Sequence, residues 1–119
     1  MAAACAGADV VINLVGVLYS YGAQTFSTLH AHGAGVAARA AREAGASQFI
    51  QMSAIGADEA SGAEYARTKS AGEQAAGDEF PGAIILRPSI VFGPEDNFFN
   101  QFAGMARFSP VLPLIGGGK

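Results

Sequence analysis

The sequence is poor in several things that particular functional classes require. Among 119 residues there is one cysteine, Cys5, and only seven lysines and arginines; charged residues of both signs reach just 14 %. A lone thiol closes no internal disulfide and has no second thiol at metal-ligand spacing, which fits a reducing, cytosol-like compartment. A formal charge of −3 with so few basic residues leaves no electrostatic footprint for a nucleic-acid backbone. Long hydrophobic runs are missing too. Val10–Leu18 is broken by Asn13 and falls far short of the ~20 residues of a membrane-spanning helix, and Met1–Ala8 carry no basic leader.

What is abundant is apolar and small: 50 % of residues are hydrophobic and 16 are glycine. That composition excludes an intrinsically disordered tail and, at this length, allows one domain at most. Short β-branched runs alternate with longer Ala-rich stretches, the rhythm of parallel βαβ units. Strands are expected at Asp9–Val15, Gln48–Ser53 and Ala83–Arg87. All three are close to continuously apolar, as strands are when helices cover both sheet faces.

The first helix is expected from about Thr25 to Ala44, with Thr25 or Ser27 as its N-cap and Gly45 as the residue of positive φ that ends it. Val36, Ala37, Ala40, Ala41 and Ala44 share one side, so this helix lies close to the sheet. A Ser61-Gly-Ala-Glu64 capping box announces the second helix, which Pro81 stops after Phe80. Phe98, Phe99, Phe102, Met105 and Phe108 recur near helical spacing and predict an amphipathic helix. Beyond it, Ser109–Ile115 reads as extended and Gly116–Gly118 as a loop.

Ligands of parallel α/β sheets bind beyond the carboxyl ends of the strands, where Leu14, Val15 and Gly16, then Ser53, then Pro88, Ser89 and Ile90 converge. Gly16 permits close backbone approach, Ser53 offers a hydroxyl, and Pro88–Ser89 fixes a turn. Singly, Gly16 and Pro88 read as strand ends; their convergence is what suggests a cleft. Tyr65 and Lys69 lie four apart on the second helix and face the same way. An ammonium one turn from a phenol favours phenolate and lowers the tyrosine pKa from about 10, a suitable acid/base near neutrality. Other titratable groups have plainer readings. His30 and His32 are two apart on a helix and share no face, so no metal is expected; Asp58, Glu59 and Glu64 compensate a helix start, and Glu95 and Asp96 fall in a surface turn.

The Asn13-Leu-Val-Gly16 strand end, the Ser53 strand, Tyr65-x-x-x-Lys69 and Leu86-Arg-Pro-Ser-Ile-Val-Phe-Gly93 occur in the order of extended short-chain dehydrogenase/reductases, which the chain resembles over nearly its whole length. Tyr65–Glu73, Phe92–Asn100 and Ser109–Gly118 narrow the resemblance to the atypical subgroup that contains the nucleotide-binding accessory subunit of respiratory complex I and its bacterial relatives. The resemblance implies a doubly wound parallel sheet, a Rossmann-like fold. It implies binding of NAD or NADP, with NADPH plausible, and a structural or regulatory role in the respiratory chain or quinone metabolism. Complex I or quinone-biosynthesis proteins would be partners, and the location cytoplasmic or peripheral on the inner membrane. The other implied role is an active NAD(P)-dependent oxidoreductase or epimerase on a hydroxyl or carbonyl substrate. In it Tyr65 is the acid/base, Lys69 its partner, and Leu14–Gly16, Ser53 and Pro88–Ile90 line the cofactor cleft.

Departures from that family pattern are specific. His30 occupies the helical position of the usual catalytic Asn, and alignment places the usual catalytic hydroxyl at Ala54 or Ile55 beside Ser53. The Gly-rich turn that binds the pyrophosphate at a helix N-terminus does not occur before Asp9. The chain is therefore expected to be a fragment: residues 1–93 the second half of a dinucleotide-binding domain, residues 94–119 the start of a C-terminal substrate or interaction region.

Overall fold

A computed structural model describes residues 1–96 and 98–108, which form two compact units, Met1–Ser89 and the residues from Ile90 onward. The first unit runs α1 (Ala2–Cys5), β1 (Val10–Asn13), a π-helical stretch (Ser27–His32) leading straight into α2 (Gly33–Glu43), β2 (Gln48–Met52), α3 (Glu64–Glu79) and β3 (Ile84–Leu86). The strands form one parallel sheet in the order β1-β2-β3, with Ile12 opposite Ile50 and Ile50 opposite Ile84. This is the α/β architecture that the alternating pattern predicts.

The sheet has one covered face. Val11 and Phe49 point into a core made with Ala37, Ala38 and Ala41 of α2 and Ala76 and Phe80 at the end of α3, where the Phe49 and Phe80 rings lie 5.9 Å apart. On the opposite face Val10, Ile12, Ile84 and Leu86 are exposed. The expectation of helices on both faces is thus corrected among the described residues. Both crossovers step the same way across the sheet, and connections of one hand place α2 and α3 on the same side.

Element ends follow local chemistry. β1 stops at Asn13 because its side-chain Oδ1 accepts the Val15 N–H (3.2 Å) and turns the chain out of the ladder. The first helix begins with Thr25 as capping hydroxyl, accepting the Thr28 N–H at 3.0 Å. Its first turns are π rather than α, since the Gly33 N–H reaches back five residues to Thr28 O. A Cβ at position 33 would stand 3.3 Å from that oxygen, so glycine suits the wide turn. At the other end Gly45 takes φ +79, with Gly45 N–H bonded to Arg42 O and Ala46 N–H to Ala41 O, the Schellman closure that the sequence predicts.

The second helix starts later than expected. Ser61 Oγ accepts the Ala63 N–H, two residues on, so no capping box forms and Glu64 is the first helical residue. Pro81 follows a non-helical Phe80, as expected. α1, which the sequence pattern does not signal, packs on α2 and buries Cys5 beside the outer edge of β1.

In the second unit Asp96 Oδ1 accepts the Phe99 N–H (2.6 Å) at the start of α4 (Phe98–Phe108), the Phe-rich helix that the spacing predicts. Gly93–Asp96 is a turn closed by Asp96 N–H to Gly93 O, and Phe92 meets Phe99 edge-on. The Ser109–Ile115 and Gly116–Gly118 segments lie outside the described residues.

Small residues set the spacing between the helices. A Cβ on Gly72 of α3 would lie 2.1 Å from His30 O, an impossible distance, while Gly77 on the same helix has nothing within 4 Å. Gly72→Ala should therefore cost about 2 kcal/mol or more by forcing the helices apart, whereas Gly77→Ala should be neutral or stabilising by up to about 1 kcal/mol. Urea denaturation of the two variants checks the contrast.

Candidate functional site

The expected ligand-binding end of the sheet is assembled from α3, the loop after β1 and the π-helical stretch. Tyr65 and Lys69, one turn apart on α3, face this end; Lys69 is 7 % exposed and its Nζ stands 5.9 Å from the centre of the Tyr65 ring. Lys69 Nζ donates to Met52 O (3.3 Å) at the end of β2. Burial pushes its pKa below the ordinary lysine value, and the Glu73 carboxylate, a turn further along α3, works in the opposite direction.

Gly16 lies directly over this ammonium: a Cβ there would come within 3.2 Å of Lys69 Nζ and 3.7 Å of His30 Nε2. Glycine leaves the ammonium room to approach the loop backbone. Its neighbours Leu14 and Val15 present their side chains to the surface, at 66 % and 49 % exposure, so they contribute backbone and an apolar rim. Ser53 is buried after β2, and its Oγ makes no hydrogen bond of ordinary geometry, although it lies near enough to Glu73 to favour the ionised carboxylate. A buried hydroxyl without a partner costs free energy that a ligand atom would recover. Pro88 O accepts the Ile55 N–H (3.0 Å), joining the loops after β2 and β3. Ser89 is exposed at the end of the first unit, and Ile90, also exposed, opens the second.

Two groups outside the expected set also contribute. Arg87 donates through Nε to Glu73 Oε1 (2.8 Å) and through Nη2 to Oε2, a fork that ties the end of β3 to α3. Burial alone would raise the Glu73 pKa; Arg87, the Ser53 hydroxyl and the Lys69 charge together outweigh it and hold the carboxyl below its ordinary value. His30 is 2 % exposed, with Val17 N–H donating to Nε2 (3.1 Å) and Thr68 Oγ1 at 3.1 Å from Nδ1. Its ring stacks on Phe26 at 5.4 Å and meets the edge of Tyr65 at 5.2 Å. The sequence signal for His30 was its place at the helical position of the usual catalytic Asn; for Arg87 and Glu73 a strand end and a helix position gave none.

Beneath these groups Asn13 and Gln51, opposite each other on β1 and β2, form a buried amide pair: Asn13 Nδ2 donates to Gln51 Oε1 (2.8 Å) and Gln51 Nε2 to Met52 O (3.2 Å). The oxygen that receives Lys69 is thereby held from two sides. Among the described residues no cluster of three or more His, Cys, Asp or Glu could hold a metal ion, and no helix is long and apolar enough to cross a membrane.

No protein-family model matches the chain. Curated proteins do. The chain is 39 % identical over 109 residues to the ceramide reductase of Caulobacter vibrioides, covering 92 % of this chain and 34 % of that protein. It is 39 % identical over 107 residues to NADH dehydrogenase [ubiquinone] 1 alpha subcomplex subunit 9, mitochondrial, of Rattus norvegicus, covering 90 % of this chain and 28 % of that subunit. The Arabidopsis thaliana subunit of the same name is 38 % identical over 117 residues, 98 % of this chain and 29 % of the subunit. The chain spans about a third of the length of these relatives.

Burial, followed by the nearby Lys69 charge, holds the His30 pKa below its ordinary value of about 6.5. An unfolded chain therefore binds a proton here at a pH where the folded chain does not, and folding stability falls as pH drops below about 6.5 through that window. His30→Gln should lack this part of the pH dependence, which urea titrations of both proteins between pH 7 and 5 would reveal as a difference that shrinks on acidification.

Proposed function

We propose that this chain forms the nicotinamide-side half of a Rossmann-like, NAD(P)-binding domain of short-chain dehydrogenase/reductase type, in a protein with an accessory role in respiratory complex I. The observation that carries the reading is the meeting of Gly16, Lys69 and Tyr65 at the carboxyl ends of parallel strands, with the buried Ser53 directly after β2. The similarity to complex I alpha subcomplex subunit 9 from an animal and a plant supports the accessory role.

The residues present fit a dinucleotide. Gly16 lets the backbone come close to Lys69, which would supply a buried ammonium for ribose hydroxyls; Tyr65 would supply a phenol beside it, and Ser53 a buried hydroxyl after β2. Leu14, Val15, Pro88 and Ser89 would line the remainder. When bound, the cofactor would supply hydride chemistry. In this reading the protein is cytoplasmic or peripheral on an inner membrane, held by its partners, with the exposed Met105 and Phe108 of α4 offered to them.

A second reading, catalysis on a hydroxyl or carbonyl substrate, is favoured by the reductase relative and by the pairing of Tyr65 with a buried lysine. There the phenol would exchange the proton at the substrate oxygen, and Lys69 would stabilise the phenolate.

The dinucleotide reading predicts that NADH or NADPH raises the melting temperature of the full gene product, since ligand at 100 Kd adds about 2.7 kcal/mol to folding. Scanning calorimetry with and without each nucleotide measures this, and an unmoved transition with both would refute it. Tyr65→Phe separates the two roles. An enzyme should lose about 10²–10⁴-fold in kcat while its nucleotide affinity changes little, whereas an accessory binder has no such rate to lose.

A further inference from the structure

We infer that His30 is a positioning residue: its imidazole, as the neutral Nδ1–H tautomer, fixes the Gly16–Val17 backbone above Lys69. The hydrogen bonds assign the tautomer. Nε2 accepts the Val17 N–H, so it carries no proton, and the ring proton resides on Nδ1, facing Thr68 Oγ1. Thr68 in turn donates toward the Glu64 carbonyl at 2.9 Å, with the Tyr65 carbonyl at 3.1 Å. A continuous chain of donors and acceptors thus runs from the loop after β1, through His30, into the turn of α3 that bears Tyr65.

The imidazole has no freedom to do otherwise. It lies between Phe26 and the edge of Tyr65, and its own backbone carbonyl is pressed against Gly72, where no Cβ fits. Protonation at Nε2 would break the Val17 bond and place a second cation beside Lys69. Over residues 14–18 the loop has little else to fix it: Leu14, Val15 and Leu18 are exposed, and the other side-chain bond to this stretch is that of Asn13 to Val15, while further on Ser20 accepts the Phe26 N–H and Tyr21 pairs with Gln24. Asn13 holds the loop where it leaves the strand, and His30 holds it where it passes the ammonium.

His30→Phe keeps the ring stack and deletes both hydrogen bonds, while His30→Gln restores one acceptor and one donor. Amide hydrogen exchange on the full gene product should show Val17 exchanging roughly tenfold faster or more in His30→Phe, with Phe49 and Ala76 unchanged and Val17 largely rescued in His30→Gln. In the unsubstituted protein, nitrogen NMR should place Nε2 among unprotonated ring nitrogens and Nδ1 among protonated ones. An unchanged Val17 rate, a loss of protection equal to that of Phe49 and Ala76, or a protonated Nε2 overturns the inference. One further arm rests on the dinucleotide reading: NADPH affinity should fall about three- to tenfold in His30→Phe, the equivalent of one hydrogen bond. Failure of the unsubstituted protein to bind NADPH would refute that reading alone, because exchange and tautomer decide the role of His30 without any nucleotide.

Discussion

The close approach of α3 to the π-helical stretch, at Gly72 against the His30 carbonyl, is the constraint on which the rest of the site depends. It brings Thr68 within reach of the His30 imidazole, sets the Tyr65 ring against it, and carries Lys69 under Gly16. A side chain at position 72 would add about one methyl of thickness between two packed backbones, and interiors at crystal-like density do not absorb that without displacement. The small residues of the two helices, Gly35 against Ala75 among them, extend the same fit along the contact.

Within that frame, polar groups are buried and nearly all are paired. Asn13, Gln51 and Met52 O make one chain toward Lys69; Val17, His30 and Thr68 make another toward the backbone of Tyr65. The first starts at Asn13, the end of β1, which also holds Val15, and the second in the loop that follows, so that loop is tied to both candidate ligand-contacting side chains. Buried polar chains of this kind specify a unique arrangement, because any partial slip leaves a donor or acceptor unsatisfied in a poorly solvating interior. Ser53 Oγ is the departure, and it lies at the place where a ligand is expected. Burial, which disfavours the charge of Lys69, outweighs Glu73, which favours it; Arg87 favours the ionised form of Glu73 in turn.

Much of the fold could be read from the chain alone. The β-branched runs gave three parallel strands, Gly45 gave a helix end of positive φ, and Pro81 gave another; each is a local steric or hydrogen-bonding preference that a short window carries. Ser61 misled because its hydroxyl found a nearer N–H, at Ala63, than the capping box requires. The strands misled in another way: apolar residues on both faces say that both are suited to burial, yet which face α2 and α3 occupy depends on crossover handedness. In the site, Tyr65 and Lys69 were legible because helical periodicity fixes their shared face. His30 was legible only by its place in the family pattern, and Arg87 and Glu73 not at all, since their partners lie 13 or more residues away and no local pattern encodes them.

By itself, then, the sequence determined the alternation of strands and helices, the shared face of Tyr65 and Lys69, and the glycine at position 16, all of which follow from short-range geometry. Only the tertiary structure decided that Gly16 lies over Lys69, that a histidine is locked between two aromatic rings with one tautomer, and that Ser53 is buried beside Glu73. Those facts arise from contacts between distant segments, whose distances and burial are set by how closely two small-residue helices pack across one face of the sheet.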